Sequence, residues 1–359
     1  MIVKLAVGVG LVVWLVTSDK FDLNKLSDVR QRWGYFVAAQ LLFFACFLVT
    51  VVRWKFLIQA LGVPAKFRDA LRLGMIGLFF NQVAFGSTGG DLIKAYYIAR
   101  ESPNRRAQAV LSVVLDRIVG LVSLMMLGGV ALILNWKVLT ADPTLRGLGY
   151  LLASLIVGIL AGGALLSWES FWRRPGVDRF LNCLPASRVL RRLVESLWML
   201  RGRRRRIFFG SIALSVLNHL GFVATHTLLA IALLGEAPSF LSYLFLIPVG
   251  QLAFALPITP GGLGVGEWAY DELFRTYYGL IGQVGHSEGL EIAALIRLTW
   301  IFWGLLGLVF YLRGRRDILA SLEQAQEGIG EGLEHAVFES SDAESADRQN
   351  DRPAAASAP

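Results

Sequence analysis

The sequence predicts an all-α integral membrane protein with about six full spans and two re-entrant helical hairpins arranged as an inverted repeat. Composition gives the class: of 359 residues, 55% are hydrophobic and 17% charged, and the mean hydropathy is +0.55. That is too apolar for the surface of a soluble chain this long. Spacing gives the spans, because apolar runs near the length that a hydrocarbon core demands alternate with basic clusters. Glycine and proline give the hairpins, since one apolar segment in each half is too short to cross and breaks at a glycine-rich turn.

Residues 2–17, IVKLAVGVGLVVWLVT, read as a retained first helix. A signal peptide is the other reading, but no small-residue cleavage site precedes Ser18, Asp19 and Lys20. A mixed-charge amphipathic stretch at 19–33 leads to an apolar run over 35–52 that ends at Arg53, Trp54 and Lys55, residue types that mark an interface. Residues 53–72 carry Arg53, Lys55, Lys66, Arg68 and Arg72 against Asp69, so this segment reads as a cytoplasmic loop. The apolar segment 73–85 breaks at GSTGGD (86–91) and returns to a basic cluster at Arg100, Arg105 and Arg106. Entry and exit on one side make residues 73–100 the first hairpin. An apolar helix interrupted by Asp116 and Arg117 follows over 107–135 and leads to an outside loop; residues 148–168 return inward.

The segment 169–206 holds eleven Arg against Glu169, Asp178 and Glu195, which fixes it as a cytoplasmic loop. Residues 207–234 then cross outward. The run 240–256 breaks at PITPGGLGVGE (257–267), and 268–282 is helical again. With 290–312 as the last span, ending inside at Arg313, Arg315 and Arg316, residues 240–282 form a second hairpin that enters from the opposite face. Residues 34–135 and 207–312 are thus the two halves of an inverted repeat within a membrane domain of 1–316. Residues 317–359 read as a mostly disordered acidic tail. Both termini are expected in the cytoplasm.

Composition also excludes functions. The net charge of +8 comes mainly from Arg in short loops between apolar runs, so it sets topology and does not mark a nucleic-acid surface. The two cysteines, Cys46 in an apolar run and Cys183 in the Arg-rich loop, form neither a disulfide framework nor a CxxC pair. His219 and His226 share a helix face, but two His alone make a poor metal site and packing explains them. Residues 261–267 lack the last glycine of a dinucleotide fingerprint, and no HExxH, GxSxG or Walker sequence occurs. No enzyme activity, cofactor or metal is expected.

Charged groups at membrane depth cost about 2.5 to 3.5 kcal/mol each and need partners. In the first half they are Asp91, Lys94, Asp116 and Arg117, joined by the polar Asn81; in the second they are Glu267, Glu291 and Arg297. Arg117 and Arg297 hold similar places in the helices after each hairpin. Beside two helix N-termini, an Arg pair suits a phosphate. Equally, Arg117 can pair with Asp91 or Asp116, and Arg297 with Glu267, as internal ion pairs that a substrate would compete for. Gly89, Gly90, Gly261, Gly262 and Gly264 permit close backbone approach, and Pro257 and Pro260 stop the helix.

Asn81 with Gly89-Gly90-Asp91 and Lys94, Asp116-Arg117 ahead of Gly120-Leu121, and the run from Pro257 to Glu267 together resemble the flippase-like family built on the lysylphosphatidylglycerol synthase transmembrane region. The resemblance spans roughly residues 1–315. It implies a polytopic protein of a bacterial or archaeal inner membrane that moves or presents polar lipids, such as aminoacylated phospholipid, isoprenoid-linked glycan or hopanoid precursors. It implies a substrate site at Asn81, Gly89, Gly90, Asp91, Lys94, Asp116, Arg117, Pro260, Gly261, Gly262, Gly264, Glu267 and Arg297. Where the family often has Arg after GGD, this chain has Lys94, which changes a planar fork into a point charge. With only the polar tail after the last span, lipid aminoacylation by this chain is not expected.

The leading expectation is therefore translocation of an anionic or glycosylated lipid between leaflets, with membrane lipid as the partner. Two others stay open. One is a non-catalytic accessory protein that holds a lipid-modifying or glycosyltransferase enzyme through the Arg-rich loop at 169–206, a homo-oligomer being the other partner open to the chain. The other is an ion-coupled transporter using Asp91, Asp116 and Glu267.

Overall fold

The computed structural model describes residues 28–83, 89–167, 205–255, 264–281 and 289–313. The expected first helix at 2–17, the Arg-rich loop up to residue 204 and the acidic tail lie outside them, as do Pro260, Gly261 and Gly262. Contacts group Met1–Leu308 into one unit; of the second, Val309–Pro359, only the helical residues 309–313 are described.

Among the described residues every regular element is helical. Helix α1 is Trp33–Ala60, α2 Phe67–Val83 and α3 Gly89–Glu101. Helix α4 is Arg106–Leu134, followed by the short α5, Trp136–Ala141, and α6, Pro143–Ser167. The second half has α7, Arg205–Leu234, α8, Phe240–Ala255, α9, Val265–Leu280, and α10, Gly289–Arg313. Four of these are long and apolar enough to cross a membrane: α1, α4 from its leading turn, α7 and α10. Shorter apolar stretches lie in α6 and α8. Of the spans expected from sequence, these four stand as clear candidates.

Two boundaries differ from the sequence expectation. Residues 53–60 continue α1 and are not loop; Arg53 and Trp54 are 5% and 1% exposed. Both are satisfied inside the bundle, so the helix has no reason to stop at the first charge. Likewise Asp116 and Arg117 do not interrupt α4, because each finds a partner on another helix.

Helices α1 and α7 pack along their length and run antiparallel. Cys46 meets Gly221, Thr50 Oγ1 donates to Asn218 Oδ1 at 3.3 Å, and Arg53 Nη1 donates to Ser215 Oγ at 2.7 Å. Steps of three and four residues keep these groups on one stripe of each helix. At one end, Ala60 and Leu61 cluster with Leu111 and Leu115 of α4 and with Ile207 and Phe208 of α7. At the other, Arg32 donates to the carbonyls of Ala232 and Leu233, the last turn of α7.

The two interrupted segments are antiparallel helix pairs whose bases lie at opposite ends of α4. The base of α2–α3 is tied by Arg72 to Glu101, near the Gly62 carbonyl that accepts from Arg105. Gly77 and Gly90 make the crossing: a Cβ on Gly90 would overlap the Gly77 carbonyl, so only glycine lets the helices approach this closely. The α8–α9 hairpin has its base at the far end, where Tyr277 Oη donates to Asn135 Oδ1, just past α4, at 2.8 Å. Its crossing is aromatic. A Cβ on Gly250 would strike the Tyr270 ring, and Phe254 and Tyr270 meet edge to face at 5.2 Å between centroids.

Candidate functional site

Each hairpin presents an acid at the third residue of its second helix, where the N-terminal dipole favours negative charge. In α3 this is Asp91, and in α9 it is Glu267. The following long helix supplies an arginine to each, so Arg117 of α4 pairs with Asp91 and Arg297 of α10 with Glu267. Of the two partners open to Arg117 from sequence, the structure selects Asp91. The two halves repeat one device, acid on the half-helix and arginine on the span.

The surroundings differ. Asp91 also receives Lys94 Nζ at 3.1 Å. Lys94 lies 5.1 Å over the Trp54 ring, and its stem packs on Gly77. In the second half, Arg297 Nε donates to Glu267 Oε1 at 2.6 Å, and Glu267 Oε2 accepts the Gly264 N–H at 2.7 Å. Gly264 has φ +79, a left-handed conformation that glycine adopts without strain. Phe254 and Trp300 cover Arg297, at 5.0 and 5.6 Å from its guanidinium carbon.

A cavity of 340 Å³ is walled by α1, α2, α3, α4, α7, α8 and α10. Its charged lining is Arg53, Asp91, Lys94, Asp116 and Arg117; its neutral polar lining is Thr50, Asn81, Gln82, Asn218, His219 and Gln251. Leucines 78, 121 and 124 with Phe222, Phe254 and Trp300 supply the apolar walls. At 1.5 Å per residue, Asp116 and Arg117 sit about 15 Å along α4 and Asn218 about 20 Å along α7, so the cavity is at mid-depth of the bundle. Within it Arg53 and Asp116 neutralise each other: Arg53 Nε donates to Asp116 Oδ1 at 2.8 Å, and the side chains are only 6% and 7% exposed. Gln251 Nε2 is buried with no hydrogen-bond partner among the described residues, a donor facing a polar space.

Of the residues singled out from sequence, Asn81, Asp91, Lys94, Asp116 and Arg117 share this lining. Asn81 holds the hairpin tip, its Oδ1 accepting the Gly90 N–H at 2.8 Å. Gly89 and Gly90 are buried beside it. Arg297 lies against Phe254 and Trp300, and neither it nor Glu267 nor Gly264 is among the lining residues. The picture of both arginines flanking one phosphate is therefore not the geometry found here: only Arg117 reaches the cavity, because the aromatic pair screens Arg297. Sequence reasoning missed Arg53, which resembled an interfacial loop residue, and the scattered polar groups Thr50, Gln82, Asn218 and Gln251. The two histidines make helix contacts: His219 Nε2 lies 3.1 Å from the Gly120 carbonyl and His226 Nδ1 lies 2.7 Å from that of Phe222.

The family described as the lysylphosphatidylglycerol synthase TM region matches residues 1–308. UPF0104 membrane protein PH1989 of Pyrococcus horikoshii is 23% identical over 346 residues, covering 88% of this chain and 97% of the relative. UPF0104 membrane protein MJ1595 of Methanocaldococcus jannaschii is 31% identical over 85 residues, or 23% of this chain and 25% of the relative. No solved structure matches the chain. With long apolar helices and a family match over most of its length, the chain is a multi-pass membrane protein that belongs to the lysylphosphatidylglycerol synthase transmembrane-region family.

Proposed function

We propose that this protein moves or presents a polar lipid across a bacterial-type inner membrane, taking the head group into the cavity between the two hairpin tips. The observation that carries the reading is the lining itself. It combines cations and amides with leucines and aromatic rings, at mid-depth of an apolar bundle. An empty polar space in hydrocarbon is costly, so such a space is expected to serve a ligand or water path. An amphipathic molecule satisfies both kinds of lining group. Lys94 and Arg117 supply charge-assisted donors for a phosphate, and Gln251 and Asn218 supply donors for polar head-group atoms.

In this reading the two hairpins are re-entrant. Their helices, of 17 and 13 residues in the first and 16 and 16 in the second, are too short for a core of about 30 Å at 1.5 Å per residue. Two hairpins entering from opposite ends and meeting at a central site is the arrangement that supports alternating access. The basic residues at the starts of α4 and α7 support a cytoplasmic side for that end of the bundle. The role is transport and not catalysis.

The test is transfer of a fluorescent anionic phospholipid between leaflets of reconstituted vesicles. Wild-type protein accelerates transfer, and R117A slows it by about tenfold or more while the variant remains folded. Equal rates for wild type, R117A and K94A would contradict the proposal.

A further inference from the structure

The two acid–arginine pairs hold equivalent positions, yet only one stands at an accessible site. Asp91, Lys94 and Arg117 line the cavity, and the Arg117 side chain remains 40% exposed. Glu267 and Arg297 are sealed, with side chains 6% and 9% exposed, and the second oxygen of Glu267 is engaged by the Gly264 N–H. Charge balance differs as well. Both oxygens of Asp91 face cations, Lys94 on one and Arg117 on the other, which leaves the cluster one positive charge in surplus. The neighbouring Arg53 and Asp116 are matched and add nothing.

We infer that Asp91 is a tethered occupant of the head-group site: its carboxylate sits where an anionic head group binds, between Lys94 and Arg117, and is exchanged for that head group during each cycle. The inference rests on reading the cavity as a lipid site. Three features support the exchange. A carboxylate and a phosphate oxygen ask for the same donors, so they compete for Lys94 and Arg117. Asp91 is a short side chain at the start of α3, where the helix N-terminus still favours its charge once the cations turn to the ligand. The site is polar and open to the cavity, so the displaced carboxylate stays among polar groups, whereas Glu267 is 6% exposed, is held by Arg297 and is not among the lining residues. An internal anion of this kind keeps two cations from standing unpaired between cycles, and it lowers head-group affinity enough for release. The second pair, by contrast, acts as a fixed latch on the tip of α9.

The experiment uses full-length protein in detergent micelles, titrated with short-chain phosphatidylglycerol and, separately, short-chain phosphatidylcholine. In D91N the anionic lipid binds about tenfold tighter or more than to wild type, because the competing charge is gone, and phosphatidylcholine gains less than the anionic lipid. E267Q shows no such gain. Unchanged or weaker binding of the anionic lipid to D91N, with K94A and R117A both weakened, would overturn the exchange while leaving the lipid site intact. Binding to K94A and R117A at wild-type affinity would instead sink the lipid-site reading. A second measurement needs no variant: carbodiimide modification of Asp91 in the wild-type protein, read by mass spectrometry, rises when phosphatidylglycerol binds. An unchanged or lower yield would also overturn the exchange.

Discussion

Replacing Arg53 with alanine removes the cation from the most deeply buried ion pair of the cavity. Arg53 donates to Asp116 Oδ1 at 2.8 Å, to Ser215 Oγ at 2.7 Å and to the Asp116 carbonyl at 3.5 Å. Asp116 keeps 7% of its side chain exposed, so in R53A its carboxylate stays buried without the cation. Breaking a buried pair from one side costs about 3 to 5 kcal/mol, and the orphaned Ser215 hydroxyl adds about 1 kcal/mol. In R53A/D116A neither charge remains to be desolvated. The double variant is therefore expected to be more stable than the sum of the singles allows, with a coupling energy of about 2 to 3 kcal/mol. R53K keeps charge but loses the fork, and should fall between wild type and R53A. Unfolding by sodium dodecyl sulfate in mixed micelles, followed by tryptophan fluorescence, reads all four variants. Additivity within about 0.5 kcal/mol, or a cost for R53A below about 1 kcal/mol, would refute the reasoning.

Three other substitutions test the packing that brings the site together. G90V places side-chain atoms into the Gly77 carbonyl and Asn81; it should lower stability by about 3 kcal/mol and abolish lipid transfer, which a transfer assay on folded protein checks. E267Q leaves buried Arg297 without its carboxylate and should cost about 3 kcal/mol in the same detergent titration, more than the exposed-pair variant E272Q, which should lie near zero. Y277F removes the 2.8 Å donation to Asn135 Oδ1 and should cost about 1 to 2 kcal/mol with lipid transfer otherwise retained.

The sequence made the helices legible because apolar length and basic flanks are properties of single segments. It also made the acid–arginine pairs legible, since two short interrupted segments followed by charged spans repeat the same order, and buried charge demands a partner. What it could not show were relations between segments. Arg53 beside Trp54 and Lys55 has the composition of a membrane interface; only the stripe of α7 opposite it, Ser215 with Asn218 and Gly221, reveals that this face of α1 turns inward. Phe254 and Trp300 read as ordinary apolar residues of a hairpin arm and a span. Their role as a screen over Arg297 depends on the crossing of α8 and α10, which no local pattern encodes. The asymmetry between Asp91 and Glu267 was hidden for the same reason.

Sided labelling tests most directly whether the hairpins enter from opposite faces and meet inside. In protein lacking Cys46 and Cys183, single cysteines replace Glu101 at the base of the first hairpin, Ser239 at the base of the second and Gln82 near the first tip. A membrane-impermeant maleimide is added to one side of oriented vesicles at a time. The account predicts that E101C reacts from one face and S239C from the other, with Q82C no faster than E101C. Labelling of E101C and S239C from the same face would mean that the hairpins do not enter from opposite sides, and would contradict the account.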